Sequence, residues 1–176
     1  LYGGASAGSI AIGWRAGKSA NNADGLTAVG TSSLGLLTSA ANCTAVGYEA
    51  GKAITTGGNN TAVGSQAGKA ITTGPNNTLV GQYAAGELTT GGDNTALGWA
   101  AGEKITTGNY NTIVGKAAAN DITTGSNNIV LGYAAEVSSA TVSNEVTIGD
   151  TSITKFRIPG INFELADNGG TPTNGH

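Results

Sequence analysis

The apolar positions of this chain recur with a 17-residue period, which is much longer than the period of a single helix or strand. A short run of small and aliphatic residues ends in glycine nine times, and the interval between successive anchor glycines never changes. The anchors are Gly13, Gly30, Gly47, Gly64, Gly81, Gly98, Gly115, Gly132 and Gly149. So constant an interval predicts a stack of equivalent units, each packed on its neighbours.

One unit reads NTAVGSQAGKAITTGPN over residues 60–76. It contains two short segments that favour β structure, 61–63 and 70–73, and both are followed by residues typical of turns. The unit is too short and too rich in glycine for a helical hairpin. We therefore predict an all-β fold, a parallel β-solenoid or β-roll of nine 17-residue coils over residues 1–149. A non-repeating β segment and a tail are expected at 150–176.

Two neighbouring apolar columns run through the repeat. The residue before each anchor glycine is always aliphatic, and we expect this column to lie in the core: Ile12, Val29, Val46, Val63, Val80, Leu97, Val114, Leu131 and Ile148. The residue before that one is mostly alanine. Because adjacent strand residues face opposite sides, two apolar columns predict a strand that is covered on both faces. An identical chain is the simplest second cover, so we expect an oligomer.

Three further columns predict how the coils pack. An aliphatic column marks the second predicted strand: Leu37, Ile54, Ile71, Leu88, Ile105 and Ile122. A column of alanines predicts a crowded corner: Ala50, Ala67, Ala84, Ala101, Ala118 and Ala135. A column of asparagines predicts a ladder of side-chain amides along the stack: Asn60, Asn77, Asn94, Asn111 and Asn128. Cys43 occupies the asparagine column one coil earlier, as a small replacement.

Composition narrows the range of functions. Only 11% of the residues are charged and the net charge is −3, which argues against a nucleic-acid partner. No apolar run is long enough to insert into a membrane. The single histidine is His176, near which no fixed partner is predicted, and the carboxylates form no column. We therefore expect no catalytic residues, no metal site, no cofactor and no enzymatic activity.

Four aromatic residues directly follow an anchor glycine: Trp14, Tyr48, Trp99 and Tyr133. Rings in such a turn column can stack on the sugars of a surface polysaccharide. They can equally pack against a neighbouring subunit or cover the corner of the coil. Both interpretations remain open from the sequence.

The NTAVG-x-x-AG text with TTG turns resembles the repeat shafts of bacteriophage tail fibres and related virion appendages. It is also similar to the β-roll heads of trimeric autotransporter adhesins, whose SxAxG-like motif is matched at residues 9–13. The resemblance covers about residues 5–149, and it implies a homotrimer, an extracellular setting and host attachment. Residues 146–157 resemble the junction that precedes a C-terminal chaperone in many phage fibres, where the chaperone is later removed.

The sequence thus favours a structural segment of a tail fibre in the virion. Its expected partners are further copies of itself, other fibre or virion proteins, and a host surface receptor such as a polysaccharide. One alternative is a bacterial adhesin head or a subunit of an extracellular filament, located at the cell surface. Another is a spike that binds or cleaves carbohydrate, which paired acidic residues at a groove between chains would favour.

Overall fold

A computed structural model describes residues 8–20 and 23–155, and these residues form a single parallel sheet of nine strands. The strands are β1 (Ile10–Ile12), β2 (Thr27–Val29), β3 (Thr44–Val46), β4 (Thr61–Val63), β5 (Thr78–Val80), β6 (Thr95–Leu97), β7 (Thr112–Val114), β8 (Ile129–Leu131) and β9 (Val146–Ile148). They pair in sequence order with a shift of one repeat, so that Thr61 lies opposite Thr78. The predicted all-β solenoid is confirmed, with about eight turns of chain between the first and last strands.

Each coil contains one strand, so the prediction of a second strand at 70–73 and its equivalents is wrong. The backbone N–H of Ile71 closes a turn by donating to Gly68 O at 3.2 Å. Thr72 then bonds to the next coil through its N–H, which donates to Thr89 O at 2.9 Å, and through its hydroxyl, which donates to the same oxygen at 3.2 Å. The coils are therefore linked on this side without an extended strand.

The orientation of the strand also differs from the prediction. The middle residue of each internal strand points into the coil and is buried: Ala28, Ala45, Ala62, Leu79, Ala96, Ile113 and Val130. The aliphatic column before the anchor glycines, which was expected in the core, points outward and is half-buried or exposed in the single chain: Ile12, Val29, Val46, Val63, Val80, Leu97, Val114, Leu131 and Ile148. Side-chain size was the misleading signal, because the buried middle residue is alanine at four of these seven levels, while the larger aliphatic residue beside it points outward.

The interior is filled from the opposite side by the second aliphatic column. Leu37, Ile54, Ile71, Leu88, Ile105 and Ile122 are all buried, as predicted. The corner alanines Ala50, Ala67, Ala84, Ala101, Ala118 and Ala135 are buried as well. These residues pack with the middle residues of the strands in one continuous core.

The predicted asparagine ladder is confirmed. Asn60, Asn77, Asn94, Asn111 and Asn128 are all buried. Asn60 Oδ1 accepts hydrogen bonds from the backbone N of Asn77 at 2.9 Å and from its Nδ2 at 3.0 Å. Asn77 Nδ2 also donates to Gly91 O at 3.1 Å. Cys43 is buried in the same column, where its thiol donates to Gly57 O at 3.4 Å.

Close contact between successive coils explains the repeated glycines at two positions. Gly64 has a φ of +132°, and a Cβ there would lie 2.6 Å from the carbonyl carbon of Gly81. At Gly57 it is close contact alone that excludes a side chain, because a Cβ would lie 2.5 Å from Gly74 O. The constant repeat interval thus brings equivalent backbones into contact at the turns.

The predicted C-terminal β segment falls mostly outside the described residues. Residues 150–155 contain no strand, and Ile153 is exposed. The other large side chains on which the segment was predicted, Phe156, Ile158, Ile161 and Phe163, lie outside the described part of the chain, as does the tail.

Candidate interaction surfaces

The outer face of the sheet consists of the first and third residues of the nine strands. In the six strands β2 to β7 the first residue is threonine and the third is valine or leucine. Because the strands are in register, the threonines form one continuous column and the aliphatic residues form another. Neighbouring levels are separated by about 4.8 Å. In the single chain the residues of both columns are half-buried or exposed.

The outer face becomes more apolar towards both ends of the sheet. Ile10 replaces threonine in β1, Ile129 replaces it in β8 and Val146 replaces it in β9. All three side chains are exposed, and the exposed fraction of Val146 is 63%. Together with the aliphatic column, these residues form exposed apolar surface, which is typical of a protein interaction site.

The four aromatic residues that follow anchor glycines lie on the surface. Trp14, Tyr48, Trp99 and Tyr133 expose between 46% and 64% of their area in the single chain. Their positions place them at one corner of the coil, immediately after the strand. Exposure is compatible with both interpretations from the sequence, a sugar contact and a subunit contact.

Two of these rings flank a cation that the sequence analysis did not single out. Lys116 lies between Trp99 and Tyr133, with its Nζ 5.4 Å from the Trp99 ring centre and 5.7 Å from that of Tyr133. Such distances are typical of cation–π interactions. The sequence contains the information needed to predict this position, because Lys116 lies one repeat unit after Trp99 and one before Tyr133.

Basic residues converge near the N-terminal end of the same corner. Arg15, Lys18 and Lys52 line a surface cavity of about 160 Å³ together with Ser19 and Ser32. The Arg15 guanidinium also stacks over Trp14, with its Cζ 4.4 Å from the ring centre. Three of the eight lysines and arginines in this acidic chain are thus gathered at one place.

One of these cations is partly neutralised. Lys52 Nζ lies 2.7 Å from Glu49 Oε1, and this hydrogen bond lowers the pKa of the Glu49 carboxyl. Exposed ion pairs contribute little to stability, so the pair chiefly reduces the positive potential of the cavity.

Two carboxylates lie near the C-terminal end of the sheet. Glu136 and Asp150 line a shallow cavity of about 410 Å³ together with Thr147. Burial raises the pKa of the Glu136 carboxyl, whereas hydrogen bonds from the Ser152 hydroxyl and backbone N–H lower the pKa of Asp150. Their environments therefore differ, and the residues that line the cavity with them include Thr147 and Thr151 but no histidine or cysteine.

Residues 8–20 and 23–155 contain no group of three or more histidine, cysteine, aspartate or glutamate side chains that could hold a metal ion. The same residues contain no helix with the length and apolar character needed to cross a membrane.

Comparisons of this chain with protein-family models, with curated protein sequences and with solved structures find no match. The surface features of the described residues are the outer face of the sheet, with its threonine and aliphatic columns, and the aromatic and basic corner that follows it in each coil.

Proposed function

We propose that this chain is a structural segment of an extracellular fibre, of the kind found in phage tail fibres, and that it contributes to attachment. The observation that carries the proposal is the aliphatic column on the outer face of the sheet, which is half-buried or exposed in the single chain. Nine levels at about 4.8 Å give this face a length of about 38 Å, and strands of three residues give it a width of about 10 Å. A narrow strip of this shape, with an unbroken aliphatic column, suits lengthwise association of identical rods.

The expected assembly has three copies, as the resemblance to phage fibres implies. Each rod contributes its outer face to a common axis, where the aliphatic column that begins at Ile12 is removed from water together with the threonine column and the apolar residues at its two ends. The asparagine ladder and the threonine bonds stay within each rod. In this arrangement the core of each chain provides stiffness, and the surfaces away from the axis are free to meet other proteins or a receptor.

Sedimentation of the purified chain tests the association. We expect the native chain to sediment as a trimer. The double variant Val63→Lys/Val80→Lys, which places two charges on the outer face, is expected to sediment as a monomer with the same far-UV circular dichroism. Thr73→Lys is the matched control, because Thr73 is exposed on another side of the coil. A native monomer, or a double variant that stays trimeric, would refute association through this face.

The location in a virion requires a separate test. Antibodies against the chain should label appendages of purified phage particles in electron micrographs. Labelling of a bacterial surface instead would favour the adhesin or filament alternative.

A further inference from the structure

We propose that Trp99, Lys116 and Tyr133 form a binding site for an anionic polysaccharide that lies along the rod. The biological meaning of this site depends on the attachment role proposed above, whereas the binding itself can be measured independently. The site is called the aromatic–lysine site below.

The first argument is the fixed placement of the three residues on successive coils. Their backbones are linked to the neighbouring levels, since Ala117 N donates to Trp99 O at 2.8 Å and Ala134 N donates to Lys116 O at 2.9 Å. The two rings are therefore two levels apart, about 9.6 Å along the rod. This separation is close to the length of an extended disaccharide, so two rings can contact sugars of one chain.

The second argument is chemical. The faces of tryptophan and tyrosine rings pack well against the C–H faces of sugars, and both rings are exposed for such contact. Lys116 lies between them and forms an ion pair with no carboxylate in the described part of the chain. Lys104 provides the contrast, because its Nζ lies 2.9 Å from Asp121 Oδ1. A ligand carboxylate at the level of Lys116 would complete its environment, which favours a uronic-acid or similar acidic glycan over a neutral one.

The third argument is the length of ligand that can bind along the column of residues that directly follow the anchor glycines. Gln82 occupies the level before Trp99, and Asp150 occupies the level after Tyr133. The Asp150 carboxylate repels an anionic ligand, since hydrogen bonds from Ser152 lower the pKa of Asp150. The site thus spans the three levels between a neutral amide and a negative charge.

The same arrangement of rings recurs near the other end of the rod. Trp14 and Tyr48 are also two coils apart, with Thr31 on the level between them, and the Arg15 guanidinium stacks over the Trp14 ring. This repetition of rings with nearby cations supports a ligand whose own repeat runs parallel to the rod.

Calorimetric titration tests the proposal, with hexagalacturonate as the acidic probe and cellohexaose as the neutral probe of equal length. We expect saturable binding of hexagalacturonate by the native chain. Trp99→Ala should weaken it by about tenfold or more, and Lys116→Gln should weaken it by about tenfold while leaving cellohexaose binding unchanged. Two matched controls should bind like the native chain: Tyr110→Ala, which removes an exposed ring elsewhere, and Lys104→Gln.

Several results would overturn the proposal. They are the absence of saturable binding to hexagalacturonate, equal losses in the two control variants, and unchanged binding in Trp99→Ala. Sedimentation of Trp99→Ala as a monomer would assign the ring to a subunit contact and would also overturn it. If the native chain is a monomer that binds hexagalacturonate, the fibre proposal fails and the aromatic–lysine site stands. If it is a trimer that binds no glycan, the site fails and the fibre proposal stands.

Discussion

Asn77 Oδ1 accepts two hydrogen bonds from Asn94, one from its backbone N at 3.0 Å and one from its Nδ2 at 3.1 Å. One side chain therefore satisfies both the backbone and the amide of its equivalent in the next coil. The same pair of bonds links Asn94 to Asn111 and Asn111 to Asn128. Buried amides are stable only when such partners are present, so the ladder is a cooperative element of the fold.

Replacing Asn77 with alanine should destabilise the rod strongly. The change leaves the Asn94 N–H and the Gly91 carbonyl buried without their side-chain partner, at a cost of about 3 kcal/mol in the free energy of unfolding. Urea unfolding monitored by far-UV circular dichroism measures this. Thr73→Ala is the control, since that side chain is exposed, and its effect should stay within about 0.5 kcal/mol. Similar stabilities for the two variants would contradict the role of the ladder.

The paired threonines should differ in their contributions. Thr72→Val keeps the shape of the side chain but removes the hydroxyl that donates to Thr89 O, and it should cost about 1 kcal/mol. Thr73→Val changes an exposed hydroxyl and should be nearly neutral. The measurement is again urea unfolding, at one protein concentration for both variants. An equal loss of stability in both variants would mean that the hydrogen bond from the Thr72 hydroxyl to the next coil does not stabilise the fold.

The adjacent glycines Gly57 and Gly58 offer a test of coil contact. A Cβ at Gly57 would lie 2.5 Å from Gly74 O, whereas one at Gly58 would meet only Ala41, whose O lies 3.3 Å away. Gly57→Ala should therefore force neighbouring coils apart. It should lower the midpoint of thermal unfolding by clearly more than Gly58→Ala does. Differential scanning calorimetry compares the two. A smaller shift for Gly57→Ala than for Gly58→Ala would show that the backbones are not in contact at this turn.

Cys43→Asn should stabilise the protein. Cys43 occupies the level before Asn60, where its sulfur accepts a backbone hydrogen bond from Asn60 and its thiol donates to Gly57 O at 3.4 Å. An amide at this level would make stronger bonds of the same pattern, worth about 1 kcal/mol. Urea unfolding should show the gain, and Cys43→Ala should show a loss. A loss for both variants would indicate that the asparagine ladder cannot extend to this coil.

The native Cys43 should give the protein an alkaline sensitivity. Burial raises the pKa of this thiol, so the folded state disfavours the thiolate. Its contribution to stability is complete at lower pH and declines as the pH rises above about 8.5, where a solvated thiol ionises. Urea unfolding across this range should show a decline that Cys43→Ala lacks. A decline of equal size in Cys43→Ala would assign the sensitivity to other groups.

Much of this fold could be predicted because stacking in register makes each column homogeneous. The amide column of Asn60 and the interior column of Ile71 were recognisable from residue type alone, since a buried column admits few alternatives. Which apolar column of the strand faces inward was not recognisable in this way. Alanine at position 62 and valine at position 63 are both apolar, and only the width of the coil interior decides between them.

The second strand was predicted for a related reason. Ile71 and the threonines after it have β-favouring side chains, but Gly68 permits a tight turn directly before them, with a φ of +55°. The turn uses the N–H of Ile71 locally, so a strand ladder cannot begin there. At the surface, the position of Lys116 between two rings was implicit in the period, but it becomes evident only when the coils are stacked.

Each strand of the sheet pairs only with the strand before it and the strand after it, always with the same offset. If one complete unit is removed or duplicated, the remaining strands still pair with the same offset as before. The length of the molecule is therefore an evolutionary variable that is nearly independent of its cross-section. Unequal recombination between units can change the reach of the rod in single steps, without any need to redesign its interior.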